Sequence, residues 1–197
     1  DEIGHANTDI TADYVKISAT GKNSSSSPTV VGVLSELNDG ELHIKAGKKG
    51  LEIVANASSL TNTTGSVSGV KSENSGLLQL ESAGDLSIQS TFGDETETVG
   101  GKSTAVDIYS NDDGKEHKIT LTAQHDVILR AESTNGNTYA IQAGIHDTAK
   151  APTNNIIDII AGNDIHISSN LVSSKSTGNS DAINVGASTL NLYAVNG

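Results

Sequence analysis

The chain contains no cysteine, methionine or tryptophan, and only 3% of its 197 residues are aromatic. Without cysteine, neither a disulfide framework nor a thiolate metal site can form. Hydrophobic residues make up 35% of the chain, which is too few for a thick globular core but enough for a thin core of stacked aliphatic side chains. No apolar run approaches the roughly 18 residues of a membrane-spanning helix. These absences favour a thin, elongated fold and no membrane insertion of this segment.

Basic residues are also scarce, with 12 lysines and arginines against 24 acidic residues and a net charge of −12. Arg130 is the only arginine. Such a surface repels phosphate backbones and anionic lipid headgroups. The composition therefore argues against binding to nucleic acid or to a membrane surface.

The chain is rich in one repeated phrase: apolar-x-apolar-x-small, a tight turn, and then apolar-x-apolar. Complete copies begin at positions 42, 78, 119 and 157, and partial copies begin at positions 10 and 190. From position 42 onward, the steps between first strands are 36, 41, 38 and 33 residues. Strand-like alternation repeated at this period is typical of a solenoid. An antiparallel sandwich or barrel also has short alternating strands, but it does not account for copies at this spacing.

Each repeat also holds a weaker third strand signal, in which a small residue precedes a β-branched one. The five equivalent pairs are Gly32-Val33, Gly69-Val70, Ala105-Val106, Ala140-Ile141 and Ala182-Ile183. Three strands per coil that pair with the same strands of the next coil form a parallel β-helix. The crossover rule favours a right-handed wind. The predicted fold is therefore all-β, a right-handed parallel β-helix of about five coils.

Alternation predicts which side chains of the first strand point inward. The predicted apolar ladder is Leu42, Ile44, Leu78, Leu80, Ile119, Leu121, Ile157, Ile159, Leu190 and Leu192. The small residues that follow, such as Ala46 and Ser82, are expected at the bend, where a large side chain would collide with the next face. Residues 1–197 are expected to be a single β-helix segment of a longer rod.

The phrase at residues 161–167 (AGNDIHI) resembles the repeats of filamentous haemagglutinins and β-helical autotransporter passengers. These are large proteins that type V secretion exports across the Gram-negative outer membrane. The resemblance extends from about Ile10 to Ala194, although the coils here are longer than the short haemagglutinin repeats. It implies adhesion, aggregation or biofilm formation at the bacterial surface rather than catalysis.

Asp85, Asp126 and Asp164 recur at one place in the tight turn. Stacked carboxylates could share calcium ions, but calcium-binding solenoids carry denser Gly-Asp signatures. We therefore interpret them as caps on the backbone N–H groups of the turn and predict no metal site. The six histidines, His5, His43, His117, His125, His146 and His166, show no ligand spacing and are expected on solvated faces.

Long polar loops are predicted after the second strand of each copy, and all should leave the same edge of the rod. We name them the loop ridge, which runs approximately over 20–29, 56–68, 91–104, 132–138 and 169–181. Side chains rich in hydroxyl and amide groups suit wet, multivalent contacts. The candidate ligand-binding residues on this ridge are Asn62, Thr63, Asp94, Glu95, Thr96 and Glu97. The alternative is that these loops only keep the rod soluble.

The sequence predicts a non-enzymatic surface adhesin segment without cofactors. Its expected partner is a host or bacterial surface glycan or protein, or a second copy of itself. The alternative is a secreted β-helical polysaccharide lyase or glycoside hydrolase. Acidic clusters at 94–97 and 112–116 could serve such chemistry, but enzymes of this kind usually add aromatic platforms and basic residues. An acidic group in a groove beside lysine or arginine would support the enzyme.

Overall fold

The computed structural model is an all-β solenoid with three strands per coil. The structure describes residues 7–23, 29–35, 40–59, 65–73, 76–94, 101–108, 117–134, 136–143, 155–172, 178–185 and 188–196. In this part of the chain all regular structure is strand, and no helix long and apolar enough to cross a membrane is found. The predicted parallel β-helix is confirmed, and its right-handed sense stays a prediction.

Sixteen strands in the described ranges form three parallel sheets. Sheet A stacks β1 (Asn7–Ala12), β4 (Gly40–Ala46), β7 (Gly76–Ser82), β10 (His117–Ala123), β13 (Asn155–Ala161) and β16 (Thr189–Ala194). Sheet B stacks β2 (Val15–Asn23), β5 (Leu51–Ser59), β8 (Leu86–Asp94), β11 (Val127–Ser133) and β14 (Ile165–Leu171). Sheet C stacks β3 (Thr29–Ser35), β6 (Ser66–Ser72), β9 (Gly101–Ile108), β12 (Gly136–Ala143) and β15 (Ser180–Asn184).

The repeated phrase aligns in register from coil to coil. Leu80 pairs with Leu121, and Leu121 pairs with Ile159. The predicted third strands align in the same way, because Val70 pairs with Val106 and Val106 pairs with Ile141. Since the side-chain period of a strand is two, in-register pairing keeps every apolar position on the inner face.

The predicted ladder is buried through the middle of the rod. Seven of its ten residues are almost inaccessible to solvent: Ile44, Leu78, Leu80, Ile119, Leu121, Ile157 and Ile159. Leu42 and Leu190 are half-buried against the same core. Leu192 is 43% exposed, because its strand β16 is an edge strand of sheet A with a partner on one side only.

The tight turns between sheets A and B have the predicted lengths, with four residues after β4 and three after β7, β10 and β13. Gly50 adopts a positive φ of 98° in the first of these turns, a conformation that favours glycine. The small residue that precedes each of these four turns lies at the bend, as predicted, and is buried. In the second turn, the Ser82 hydroxyl donates to the Asp85 carbonyl and accepts from the Gly84 N–H.

A second apolar cluster lies where sheet B turns toward sheet C. It consists of Ala55, Ala57, Val67 and Phe92, with Val30 packed against it. The predicted loops over 56–68 and 91–104 are therefore shorter than expected, because β5 and β8 run on to Ser59 and Asp94. Strand β9 then begins at Gly101. The alternating phrase ends at its second apolar pair, so it does not predict this extension.

Candidate functional site

Sheet C has a kink in every coil, and the kink changes which side chains face outward. The small residue of each strand is left out of the register between neighbouring coils. Between β9 and β12, for example, Thr104 pairs with Tyr139, and the next pair is Val106 with Ile141. Ala105 and Val106 both lie in the core. A Cβ atom at Gly69 would lie 2.5 Å from the Ile88 side chain and 2.8 Å from the Ala105 carbonyl oxygen. The small residue is therefore required where the strand bends toward sheet B.

The kink brings Lys102 and Asp107 together on the outer face. The two residues are five positions apart, and regular alternation would place them on opposite faces of the strand. Because Ala105 and Val106 both point inward, the alternation is reset and both charged side chains face out. Lys102 Nζ lies 3.6 Å from Asp107 Oδ2, although five residues of straight strand span about 16 Å.

The groove that results, here called the sheet C groove, has a cavity volume of about 230 Å³. Its lining is hydroxylated and charged, with one aliphatic side chain: Thr29, Val31, Ser66, Ser68, Lys71, Lys102 and Asp107. Three successive strands, β3, β6 and β9, contribute these residues. A groove that runs across coils can therefore present several polar groups to one ligand.

Burial disfavours the charged form of one lysine in the groove, Lys102. The Asp107 side chain is 3% exposed and that of Lys102 is 27% exposed. Burial lowers the pKa of Lys102, the charge and hydrogen bond of Asp107 oppose this effect, and the nearby Lys71 charge lowers the pKa further. The pKa remains below its ordinary value, so Asp107 does not fully offset the cost of burying this ammonium group.

Polar side chains continue along the same outer face beyond the cavity. Thr104 is fully buried, and its hydroxyl has no hydrogen-bond partner in the described part of the chain. Next to it, burial and the Asp181 charge raise the pKa of Tyr139, while a hydrogen bond to Asn184 opposes them. Gln142 pairs in register with Asp107, and its buried Oε1 likewise has no partner among the described residues.

The predicted loop ridge falls almost wholly outside the described residues. Asp94 is the last residue of β8. The other five candidate ligand-binding residues, Asn62, Thr63, Glu95, Thr96 and Glu97, lie outside the described ranges. The acidic cluster at 112–116 lies outside them as well. The ridge as a binding surface therefore stays a prediction.

The turn aspartates act between coils rather than within one turn. Asp85 Oδ1 accepts from the backbone N–H of Asp126 at 3.3 Å, and Asp126 Oδ1 accepts from that of Asp164 at 3.2 Å. The prediction of a backbone cap is correct in kind, but the N–H belongs to the next coil. This ladder joins neighbouring turns along one edge of the rod.

One group at this edge could offer ligand atoms to a cation. One side-chain ligand atom from each of Asp126, Asp164 and His166 lies within 4.8 Å of the others. Asp164 and His166 are exposed, and Asp126 is half-buried. Because Asp126 Oδ1 already accepts the Asp164 N–H, we retain the interpretation as a cap and test it below.

The histidines do not all lie on solvated faces as predicted. His117, at the start of β10, is fully buried. His43 lies on the outside of sheet A, with Nε2 3.5 Å from Glu81 Oε1, whereas His166 lies on sheet B. His5 and His146 lie outside the described residues. The alternation in β10 predicts an inward side chain at position 117, so this burial could have been inferred.

No protein-family model, curated protein or solved structure matches this chain. The description of the sheet C groove therefore depends on the structure of this chain alone. Its charged residues, Lys71, Lys102 and Asp107, were missed from the sequence. The small-then-β-branched pair of the third strand marks the position of the bend, but regular alternation through that pair places Lys102 and Asp107 on opposite faces.

Proposed function

We propose that this chain is a segment of a bacterial cell-surface adhesin, resembling type V secretion passengers and exposed at the Gram-negative outer membrane. The observation that carries the proposal is the in-register parallel solenoid. It holds polar outward side chains at a fixed coil-to-coil spacing on a rod, an arrangement that suits many weak simultaneous contacts. The segment acts by binding, needs no cofactor, and mediates attachment, aggregation or biofilm formation.

Ion pairs and hydrogen bonds between coils hold the outer faces in place. On sheet A, Asp158 accepts from Lys118 at 2.9 Å and from Asn191 at 2.8 Å, which joins three successive strands. On sheet B, Lys16 lies 3.0 Å from Glu52. Exposed pairs contribute little stability individually, but they fix the positions of the outward groups. The partner that fits this polar surface is a surface glycan or protein, or a second copy of the rod.

The experiment presents the purified chain on beads and measures attachment to bacterial and host cells. In one variant, residues 60–64 and 95–100 of the loop ridge are replaced by short Gly-Ser turns. Ala57, Val67 and Phe92 are kept, because they are buried. A matched control replaces residues 109–116, which follow sheet C, in the same way. We expect the ridge variant to attach less than the control; equal attachment by both would place binding elsewhere on the rod.

A second candidate function, a secreted polysaccharide lyase or glycoside hydrolase, is favoured by the position of Lys102 beside Asp107 in a groove. Hydrolysis ordinarily uses two carboxyl groups, and the described lining holds one. A lysine of lowered pKa suits a general base, so a lyase is the better form of this alternative. Incubation with acidic polysaccharides tests it. Unsaturated sugar products that disappear in Lys102→Met would establish the enzyme and overturn the adhesin proposal.

A further inference from the structure

We propose that the sheet C groove binds an acidic saccharide, whose carboxylate lies between the ammonium groups of Lys71 and Lys102 while its hydroxyl groups contact Ser66 and Ser68. The inference names a ligand class for one face of the rod. The idea that this ligand belongs to a cell surface rests on the proposed adhesin function. The binding itself can be measured on the isolated chain.

Lys71 and Lys102 line the same cavity from adjacent strands. In the register of β6 and β9, Lys71 lies opposite Asp107 and Lys102 lies opposite Ser66. Two of the chain's 12 basic residues line this groove together with one aspartate, and Glu73, which pairs with Lys71, lies outside the lining. An anionic group in the groove therefore meets two lysine side chains, although the molecule as a whole, with a net charge of −12, repels anions.

Each lysine already has at least one carboxylate partner within the chain. Lys71 forms an ion pair with Glu73, which is not part of the cavity lining and is 29% exposed on its side chain. At 3.6 Å, the contact between Lys102 and Asp107 is longer than an ordinary charge-assisted hydrogen bond of about 2.7–2.9 Å. A ligand carboxylate can accept hydrogen bonds from both ammonium groups, each of which has three donors. It would thereby offset the incompletely compensated charge of Lys102.

The rest of the lining favours a saccharide over a simple anion. The hydroxyls of Thr29, Ser66 and Ser68 both donate and accept hydrogen bonds, and the Asp107 carboxylate accepts from sugar hydroxyls. That carboxylate also repels a ligand that carries negative charge on every side, such as a free phosphate. A cavity of about 230 Å³ is smaller than the pockets of roughly 300–1,000 Å³ that enclose drug-sized ligands. It therefore suits one sugar unit of a longer chain.

The experiment titrates the whole chain with three soluble probes and follows the lysine ammonium and backbone signals by NMR. Glucuronate and glucose differ in having a carboxylate or a hydroxymethyl group, and acetate supplies the carboxylate alone. We expect glucuronate to bind with a dissociation constant of about 1–10 mM, and glucose and acetate to bind at least about tenfold more weakly. Binding should also weaken as salt is added. Equal binding of glucose, equal binding of acetate, or no binding of glucuronate in this range would overturn the inference.

Variants locate the site. Lys71→Met and Lys102→Met should each weaken glucuronate binding about tenfold or more, whereas Lys16→Met, on sheet B, should leave it unchanged. Lys102→Met leaves Asp107 buried beside an apolar group and risks the fold. Two companion variants avoid this risk. Lys71→Met leaves behind Glu73, whose side chain is 29% exposed, and Lys102→Arg keeps the positive charge. Retention of full affinity by folded Lys71→Met would place binding outside the groove.

Cell attachment by the same variants separates the two proposals. If Lys71→Met loses glucuronate binding and beads carrying the native chain attach to cells, the groove inference stands together with the adhesin function. If the native chain binds glucuronate but its beads do not attach, the groove inference stands and the adhesin function is wrong. If the beads attach and glucuronate does not bind, adhesion uses another surface.

Discussion

At the scale of single residues, the molecule depends on a narrow ladder of aliphatic side chains. Leu121 lies between Leu80 and Ile159 in register, and all three are fully buried. Few neighbouring side chains can move to fill a cavity in this core, because each coil contributes only one short strand to each of the three sheets. A void in the ladder is therefore felt by the coils above and below it.

Leu121→Ala should lower the free energy of unfolding by about 2–5 kcal/mol, through lost apolar transfer and the cavity that remains. Thr122→Ala, on the outer side of the same strand, should change it by no more than about 0.5 kcal/mol. Urea unfolding followed by circular dichroism measures both. Similar losses for the two variants would mean that the register is wrong.

The contact between Phe92 and Gly101 closes the second apolar cluster. Phe92, the only phenylalanine, is 1% exposed. A Cβ atom at position 101 would lie 2.1 Å from Phe92 Cε1. No side chain fits in that space without moving the ring, so this glycine is required by packing.

Gly101→Ala should destabilise the protein by about 1–3 kcal/mol, because the added methyl group overpacks the cluster. Phe92→Leu removes the colliding ring edge and should partly relieve that cost. In a double-mutant cycle, the two substitutions together should therefore cost less than their sum. Additive losses would show that the two positions do not contact each other.

At the scale of elements, the turns between sheets A and B are joined along the rod. A ladder of backbone hydrogen bonds runs parallel to the aspartate contacts; for example, the Gly162 N–H donates to the Ala123 carbonyl at 3.0 Å. Asp85 and Asp126 then each accept one further backbone N–H, from the aspartate of the next coil. The turns are therefore stabilised by hydrogen bonds between neighbouring coils.

Chelation should leave the melting temperature unchanged, and added calcium or zinc should not raise it, if Asp126 acts as a cap. Asp126→Asn keeps an acceptor oxygen and should be nearly neutral. Asp126→Ala should cost about 0.5–1.5 kcal/mol, the net worth of a hydrogen bond. Differential scanning calorimetry with and without chelator measures these effects. Stabilisation by a cation that is lost in Asp126→Asn would instead establish a metal site at Asp126, Asp164 and His166.

At the scale of the whole molecule, the acidic rod depends on a few carboxylates that hold neighbouring coils together. Burial raises the pKa of Asp158, but the hydrogen bonds from Asn191 and Lys118 and the Lys118 charge outweigh it, so the pKa lies below its ordinary value. Glu52 behaves similarly, because hydrogen bonds from Tyr14 and Lys16 lower its pKa. Folding therefore favours the charged forms of these groups.

Stability should consequently fall in acid. A carboxyl group whose folded pKa is depressed contributes stability that is fully present above its unfolded pKa, about 3.9 for aspartate. That stability is lost as the pH falls through the folded pKa. Asp158→Asn should therefore be less stable than the native chain at pH 7, by about 1 kcal/mol or less, and the difference should shrink below about pH 4. Urea unfolding across this pH range measures it; a constant difference would contradict the assignment.

The sequence by itself determined the architecture. Apolar residues alternate with period two, a small residue precedes each turn, and the whole phrase repeats once per coil. Only one arrangement lets every copy bury the same face, and it predicts the three sheets and their register. The extension of β8 to Phe92 was less predictable, because a single aromatic residue among polar neighbours shows no period.

Only the tertiary structure decided where charged groups meet. Lys102 and Asp107 face each other because the chain bends at Ala105, and Lys71 joins them because β6 lies beside β9. Alternation describes a straight strand and says nothing of its bends. Contacts between coils depend on residues more than 30 positions apart, which meet only after the solenoid has formed. Local patterns therefore determine the rod, and the bends in its strands determine the groove.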